Sequence, residues 1–265
     1  MGRKDRNFYK GGIYHIIQRG NNKAYIFDDQ RDKAVFLDII KEKISLYPCY
    51  FLFYILMDNH YHLIFEMQDE QLSTIMRDVN RCYSKYYNKK YNRTGTIFGN
   101  RYKSHIVSDK KYFLKLLQYI AYNPVKAELV KHPSQYKWCA HKEMISKKSL
   151  LIDKDRLLLH IDTSSSKALM TYLDIVDDKK TGITTVDDIK DLVIERRNEQ
   201  LVTLLQKTFS NEMIVQIIQQ KPRTTKILDA KKEFIKTAKS KGYKSAEIAQ
   251  LLNISKREVN YLSEI

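Results

Sequence analysis

The residues most able to do chemistry in this chain lie in Met57-Asp58-Asn59-His60-Tyr61-His62-Leu63-Ile64-Phe65-Glu66, which sets two imidazoles two positions apart in an otherwise apolar run. Successive side chains on a strand alternate faces, so His60 and His62 point one way while Tyr61 and Leu63 enter the opposite layer. Neutral imidazole is the commonest protein ligand for divalent metals, and two on one rigid face need one further donor to make an open site. A structural or surface histidine pair reads the same way, so the neighbours must decide. Glu66 shares the face and is a candidate ligand, or a partner that supports one. His15, on an earlier strand, fits a core or DNA-contacting side chain better than a ligand.

A second group lies downstream, in Gln118-Tyr119-Ile120-Ala121-Tyr122-Asn123-Pro124-Val125-Lys126-Ala127. Tyr119 and Asn123 are four apart, so one helix presents a phenol and an amide on the same face. A phenol is a weak nucleophile at its usual pKa near 10, yet beside a divalent cation that polarises a phosphodiester it can attack phosphorus. A packing role for Tyr119, one of 19 tyrosines, and a helix-capping role for Asn123 are the competing readings.

The elements that must hold these groups follow from periodicity. Ile13 to Arg19 alternates like a strand and stops at the turn cluster Gly20-Asn21-Asn22. Helical spacing runs from about Asp29 to Leu46. Tyr50 to Met57 is almost wholly apolar, as expected of a buried central strand, and Asp58-Asn59 turns it into His60 to Met67 as a hairpin. A second helix spans about Gln71 to Tyr91, Gly95 to Gly99 is a loop, and Tyr102 to Val107 is a short strand. Asp109 caps a third helix that ends near Tyr122, ahead of Pro124. This order predicts an α+β fold of ferredoxin-like type, an antiparallel sheet with helices mainly on one face.

After Trp138 the chain turns polar and Lys-rich, and only helical patterns follow, over Ser165 to Val176, Val186 to Lys207, Met213 to Gln219 and Lys226 to Lys239. The expected division is a first domain over 1–140, a helical region of undefined role over 141–225 and a helix-turn-helix region over 226–265. Within the last, Ala249 is small where two helices cross, Asn253 suits a left-handed turn, and Ile254, Val259 and Leu262 bury the second helix. Ser245 and Ser255 read as caps. Lys256, Arg257 and Asn260 would then face a major groove, with a hairpin that merely packs as the rival reading.

Composition narrows the partners. Across 265 residues, 47 Lys and Arg stand against 31 Asp and Glu, a net +16, which favours a polyanion such as nucleic acid. Arg19, Lys23, Arg101, Lys103 and Lys111, interleaved with Tyr and Phe, suit single-stranded DNA. Three scattered cysteines argue against a disulfide framework or a Cys-based zinc site. The charged start and the lack of a long apolar run lead us to expect a cytoplasmic, nucleoid-associated protein with no membrane partner.

His60-Tyr61-His62 after an apolar strand, with Tyr119-Ile120 leading into Asn123-Pro124-Val125-Lys126-Ala127, resembles the single-tyrosine HUH transposases. The likeness is greatest to their REP-associated tyrosine transposase branch, within the IS200-like superfamily. Tyr14-His15-Ile16-Ile17-Gln18-Arg19-Gly20-Asn21-Asn22, Met57-Asp58-Asn59-His60 and Phe98-Gly99-Asn100-Arg101-Tyr102-Lys103 resemble that branch too, over residues 9 to about 140. The resemblance implies that His60, His62 and Asn123 bind Mg²⁺ or Mn²⁺. It implies that Tyr119 cuts one DNA strand, leaving a 5′-phosphotyrosine link and a free 3′-hydroxyl whose reversal rejoins strands. It also implies hairpin-containing single strands and flanking duplex DNA as partners, and a self-contained monomer in preference to a homodimer. The tail is similar to the helix-turn-helix tails of some members. A domesticated relative, acting only as a DNA-binding repressor or architectural factor, is the alternative.

Overall fold

The computed structural model describes residues 10–69, 71–107, 109–146, 150–177, 198, 200–219 and 224–264. The chain divides into two compact units, Met1–Val186 and Asp187–Ile265. The division falls later than the end of the first domain expected at 140, because the chain after Trp138 packs back on the sheet.

In the first unit the order is β1 (Ile13–Arg19), α1 (Gln30–Ile44), β2 (Cys49–Met57), β3 (His60–Met67), α2 (Leu72–Lys90), β4 (Lys103–Val107) and α3 (Lys110–Ala121). The four strands form one sheet in the order β2-β3-β1-β4, with every neighbouring pair antiparallel. This is the ferredoxin-like arrangement. Asp29 starts α1 by accepting from the Asp32 backbone N–H at 2.9 Å, while the Asp32 carboxylate reaches back to the Asp29 N–H at 3.2 Å, a reciprocal cap. Two residues, Asp58 and Asn59, turn β2 into β3.

Two expectations are corrected. β2 is an edge strand of the sheet, not a central one. It is buried because its outer edge is covered: Leu56 N–H donates to Trp138 O at 2.9 Å, Ala140 N–H to Tyr54 O at 2.9 Å, and Asp153 N–H to Phe51 O at 2.8 Å. Covering of this kind removes an open hydrogen-bonding edge. Helices also lie on both faces of the sheet rather than one. Tyr61 packs against Phe36 of α1, with ring centroids 4.7 Å apart, whereas its neighbour His62 meets Tyr119 of α3. Phe51 through Leu56 are almost completely buried, and a strand apolar on both faces requires cover on both.

That second layer continues through α4 (Asn123–Lys126), α5 (His141–Ile145), α6 (Lys154–Leu159) and α7 (Ser165–Asp177). Gln118 of α3 donates to Ile175 O at 2.7 Å, tying α7 to the nucleus of the unit. Cys49, Cys82 and Cys139 are free thiols.

In the second unit, residues 200–208 are helical (α8), and 186–197 and 199 of the helix expected there lie outside the described residues. α9 (Asn211–Gln219), α10 (Thr225–Ser240), α11 (Ser245–Leu252) and α12 (Lys256–Glu264) follow. Phe234, Ile235, Ile248, Leu252 and Val259 are completely buried in its core. Asn253 ends α11 at φ 52° and ψ 46°, the left-handed conformation expected of it. Ser255 accepts from Glu258 N–H at 3.1 Å. Ser245 is not a cap. It is the first helical residue, and its hydroxyl donates to Asn260 Oδ1 at 2.7 Å.

Candidate active site

The site is built on the β1/β3 pair. Their register sets Arg19 opposite His60, Ile17 opposite His62 and His15 opposite Ile64, so these side chains share one face. His60 and His62 pack edge to face, with ring centroids 5.2 Å apart. His60 Nδ1 lies 2.7 Å from Asn59 Oδ1. His62 Nδ1 lies 2.8 Å from Nε2 of His15, and those two rings stack at 5.0 Å.

Burial decides the charge of this cluster. His15 and His62 are each 2% exposed. Burial, reinforced by Arg19, brings the His60 pKa down to about 4, and burial with His105 nearby brings His15 to about 3. Burial and then the neighbouring His15, His60 and Arg19 hold His62 well below its ordinary value. Near pH 7 all three rings are therefore neutral and can offer lone pairs.

α3 brings the second group to this face. Asp109 starts the helix by accepting from Tyr112 N–H at 2.7 Å. The Tyr119 ring stands edge-on to His62 at 5.7 Å and 83°. The helix closes at Tyr122, and Pro124 begins a fresh turn in α4, where its missing N–H costs nothing. That break frees Asn123 to turn inward. Its Nδ2 donates to Tyr119 O at 2.8 Å, and its side chain faces His60. With the amide nitrogen engaged by the helix, the oxygen is the atom left for His60. Lys126 Nζ lies 5.2 Å from the centre of the Tyr119 ring.

A cleft of about 530 Å³ opens beside these groups, lined among others by Arg19, Lys23, Arg101, Lys103, His62 and Tyr119. One wall is a loop held tightly to the hairpin: Gly20 N–H donates to Asn59 O at 2.9 Å, and Asn59 Nδ2 to Lys23 O at 3.3 Å. A Cβ at Gly20 would lie 2.1 Å from Ala24 O, so only glycine fits there. Asn22 and Lys23 both adopt positive φ, 50° and 61°, a backbone arrangement that only firm tethering sustains.

Not every candidate converges. Lys111 is exposed on the first turn of α3 and does not line the cleft. Glu66 is buried and turned to other partners: Arg156 donates through Nε at 2.7 Å and Nη2 at 2.5 Å, and His160 Nε2 lies at 2.7 Å. It anchors α6 to β3 rather than joining the imidazoles. Among the described residues no three of His, Cys, Asp and Glu converge on a metal-sized point. A cation at His60 and His62 would take its third protein donor from the Asn123 amide. Lys256 and Arg257 are exposed on α12, and Asn260 accepts from Ser245 and, at 3.3 Å, from Lys239. His15, read from the sequence as a core or DNA-contacting side chain, and Asn59 and Lys126, which entered only within longer motifs, also lie against the site. The signal for His15 was its place on the same alternating face, and for the other two their places beside His60 and Asn123.

Residues 9–123 match the family described as "Transposase IS200 like", and the chain carries a transposase domain of that family. The domain is that of an enzyme, a tyrosine transposase. A curated Haemophilus influenzae protein assigned as a REP-associated tyrosine transposase is 26% identical over 140 residues, covering 46% of this chain and 74% of that protein. The solved structure of a REP-associated tyrosine transposase bound to a REP hairpin aligns at 19% identity with a TM-score of 0.47, over 56% of this chain and 87% of that one. No helix among the described residues is long and apolar enough to cross a membrane.

Proposed function

We propose that the first unit is a metal-dependent, single-strand DNA endonuclease and strand transferase in which Tyr119 is the nucleophile. The observation that carries this reading is the meeting of Tyr119, His60, His62 and Asn123 at the head of a basic cleft. The Tyr119 oxygen attacks the scissile phosphorus, the bond to the 3′-oxygen breaks, and the phenolic proton is replaced on that oxygen to give a free 3′-hydroxyl. The other side becomes a 5′-phosphotyrosine ester, and attack by a different 3′-hydroxyl reverses the step and joins strands.

The donor set fits a hard divalent cation. Two neutral imidazoles and an amide oxygen leave open positions, as Mg²⁺ and Mn²⁺ require. Such an ion supplies charge neutralisation at the phosphate oxygens. His60, His62 and Asn123 would hold it; Arg19, Lys23, Arg101 and Lys103 would track the strand backbone, with bases able to stack on aromatic side chains. Both the nucleophile and the donors come from one chain, which supports a self-contained monomer. Hairpin-containing single strands are the substrate we assign, from the likeness to REP-associated relatives.

For the second unit we propose duplex binding through α11 and α12 as a helix-turn-helix, with Lys256 and Arg257 toward the groove. The left-handed Asn253 between two short helices and the exposed basic start of α12 support this. Asn260 is a weaker base-contact candidate, since its oxygen already serves Ser245 and Lys239.

The test is the double variant His60→Ala/His62→Ala on hairpin-bearing single strands. Loss of Mn²⁺-dependent nicking with retained strand binding is expected. Nicking by the unmodified protein in the presence of chelator refutes the metal role. Binding without nicking of any such strand by the unmodified protein favours a domesticated DNA-binding protein.

A further inference from the structure

Both imidazoles of the site are gripped from behind, each at Nδ1. His60 is held by Asn59 Oδ1 at 2.7 Å and His62 by His15 Nε2 at 2.8 Å. Whether an imidazole can bind a cation depends on which nitrogen carries its proton, and that is set by the partner of the other nitrogen.

For His60 the Asn59 contact favours one solution. The Asn59 amide is oriented by its own second contact, because Nδ2 donates to Lys23 O at 3.3 Å. The oxygen therefore faces His60, and an amide oxygen only accepts. Two acceptors flank the ring, Asn59 Oδ1 and the Asn123 oxygen, and the neutral ring has one proton; the 2.7 Å contact with Asn59 takes it on Nδ1, which leaves the Nε2 lone pair and the Asn123 oxygen facing one point. For His62 the partner is another ring, so one of the two donates and the other accepts. If His15 donated, the His62 proton would sit on Nε2 and turn an N–H into the site. If His15 accepts, Nε2 of His62 offers a lone pair beside that of His60. Stacking of His15 on His62, at an interplanar angle of 15° on two hydrogen-bonded strands, leaves neither ring free to rotate away.

We propose that Asn59 and His15 are positioning residues that lock His60 and His62 in the Nδ1–H form, so that both Nε2 lone pairs converge on one cation. This rests on the reading of His60 and His62 as ligands. It also gives Asn59 a double task, since the amide that orders His60 holds the Lys23 carbonyl and with it the loop that walls the cleft. Occupancy of the cleft and order at the metal face are then joined through one side chain.

The experiment is long-range ¹H–¹⁵N correlation of the histidine rings in the metal-free, full-length protein, paired with calorimetric titration by Mn²⁺. Both His60 and His62 are expected as Nδ1–H. His15→Leu should release His62 to a mixture of forms and lower Mn²⁺ affinity about 10- to 100-fold, the range typical of such supporting partners. His15→Gln, whose side-chain oxygen can accept, should recover to within about threefold of the unmodified protein. A purely packing role for His15 would leave the His62 proton where it is in every variant. An unmodified protein with His62 as Nε2–H overturns the inference, as does a folded His15→Leu variant that binds Mn²⁺ within about twofold of normal. An unmodified protein that binds no Mn²⁺ refutes the metal reading of the site instead; the tautomers, read without metal, still decide this proposal. Should His15→Leu fail to fold, the unmodified and Gln forms carry the test.

Discussion

Replacing Glu66 by glutamine separates a structural carboxylate from a metal ligand. Glu66 lies four residues beyond His62, about 13 Å along the strand at roughly 3.3 Å per residue. Its side chain is 2% exposed and accepts from Arg156 twice and from His160. Hydrogen bonds to a charged group contribute about 1.5–3 kcal/mol, and glutamine keeps one accepting oxygen but loses the charge and the second acceptor. The Arg156 side chain, 36% exposed, can be rehydrated, which discounts the loss to about 2 kcal/mol. For a unit of this size that corresponds to a fall of about 4–8 °C in melting temperature. The pH dependence follows from the carboxyl itself. Burial alone would raise its pKa, but the bonds from Arg156 and His160 outweigh burial and hold it below the usual 4.5. A depressed carboxyl stabilises the fold above its unfolded pKa, and that stability is lost as pH falls through the folded value. The gap in melting temperature between the two proteins should therefore be full near pH 7 and shrink below about pH 4.5. Scanning calorimetry at both pH values and Mn²⁺ titration complete the assay. A tenfold loss of Mn²⁺ affinity with unchanged melting would refute the argument and make Glu66 a ligand.

Gly20→Ala forces the loop at the cleft to move, since its Cβ would meet Ala24 O at 2.1 Å; affinity for a short single strand, read by fluorescence anisotropy, should fall about tenfold, and unchanged binding would count against the loop as a strand contact. Lys126→Met removes a cation 5.2 Å from the Tyr119 ring. An exposed cation–π contact is worth about 0.5–1 kcal/mol, so adduct formation at saturating DNA should slow about two- to fivefold, and a hundredfold loss would make Lys126 part of the chemistry. Asn253→Val places a β-branched residue in the left-handed region and should destabilise the second unit by about 1–2 kcal/mol in urea, while Asn253→Gly should be close to neutral.

The positions that alternation or capping governs were legible in the sequence. Ile13–Arg19 and the Asp58-Asn59 hairpin follow from period two and turn chemistry, and Asp109 and Pro124 bracket the helix that carries Tyr119. What could not be read is what depends on distant packing. β2 looks like a central strand because its side chains are almost all apolar, but its cover comes from 138–140 and Asp153, short segments with no periodicity of their own. Glu66 shares a face with His60 and His62, yet its partners lie some ninety residues on, Arg156 in a helix of six residues too short to leave a pattern and His160 just past its end. Alternation alone places His15 on the right face. Only the β1/β3 register puts it diagonal to His62, and register between strands separated by a helix is not written in local sequence.

The central claim is that Tyr119 alone among the tyrosines attacks the phosphodiester. Its most direct measurement is peptide mapping by mass spectrometry of the covalent protein–DNA adduct formed on a hairpin-bearing single strand with Mn²⁺. A 5′-phosphotyrosyl nucleotide on the peptide containing Tyr119, and no adduct from Tyr119→Phe, is the predicted result. An adduct on any other residue, or one that persists in Tyr119→Phe, would contradict it.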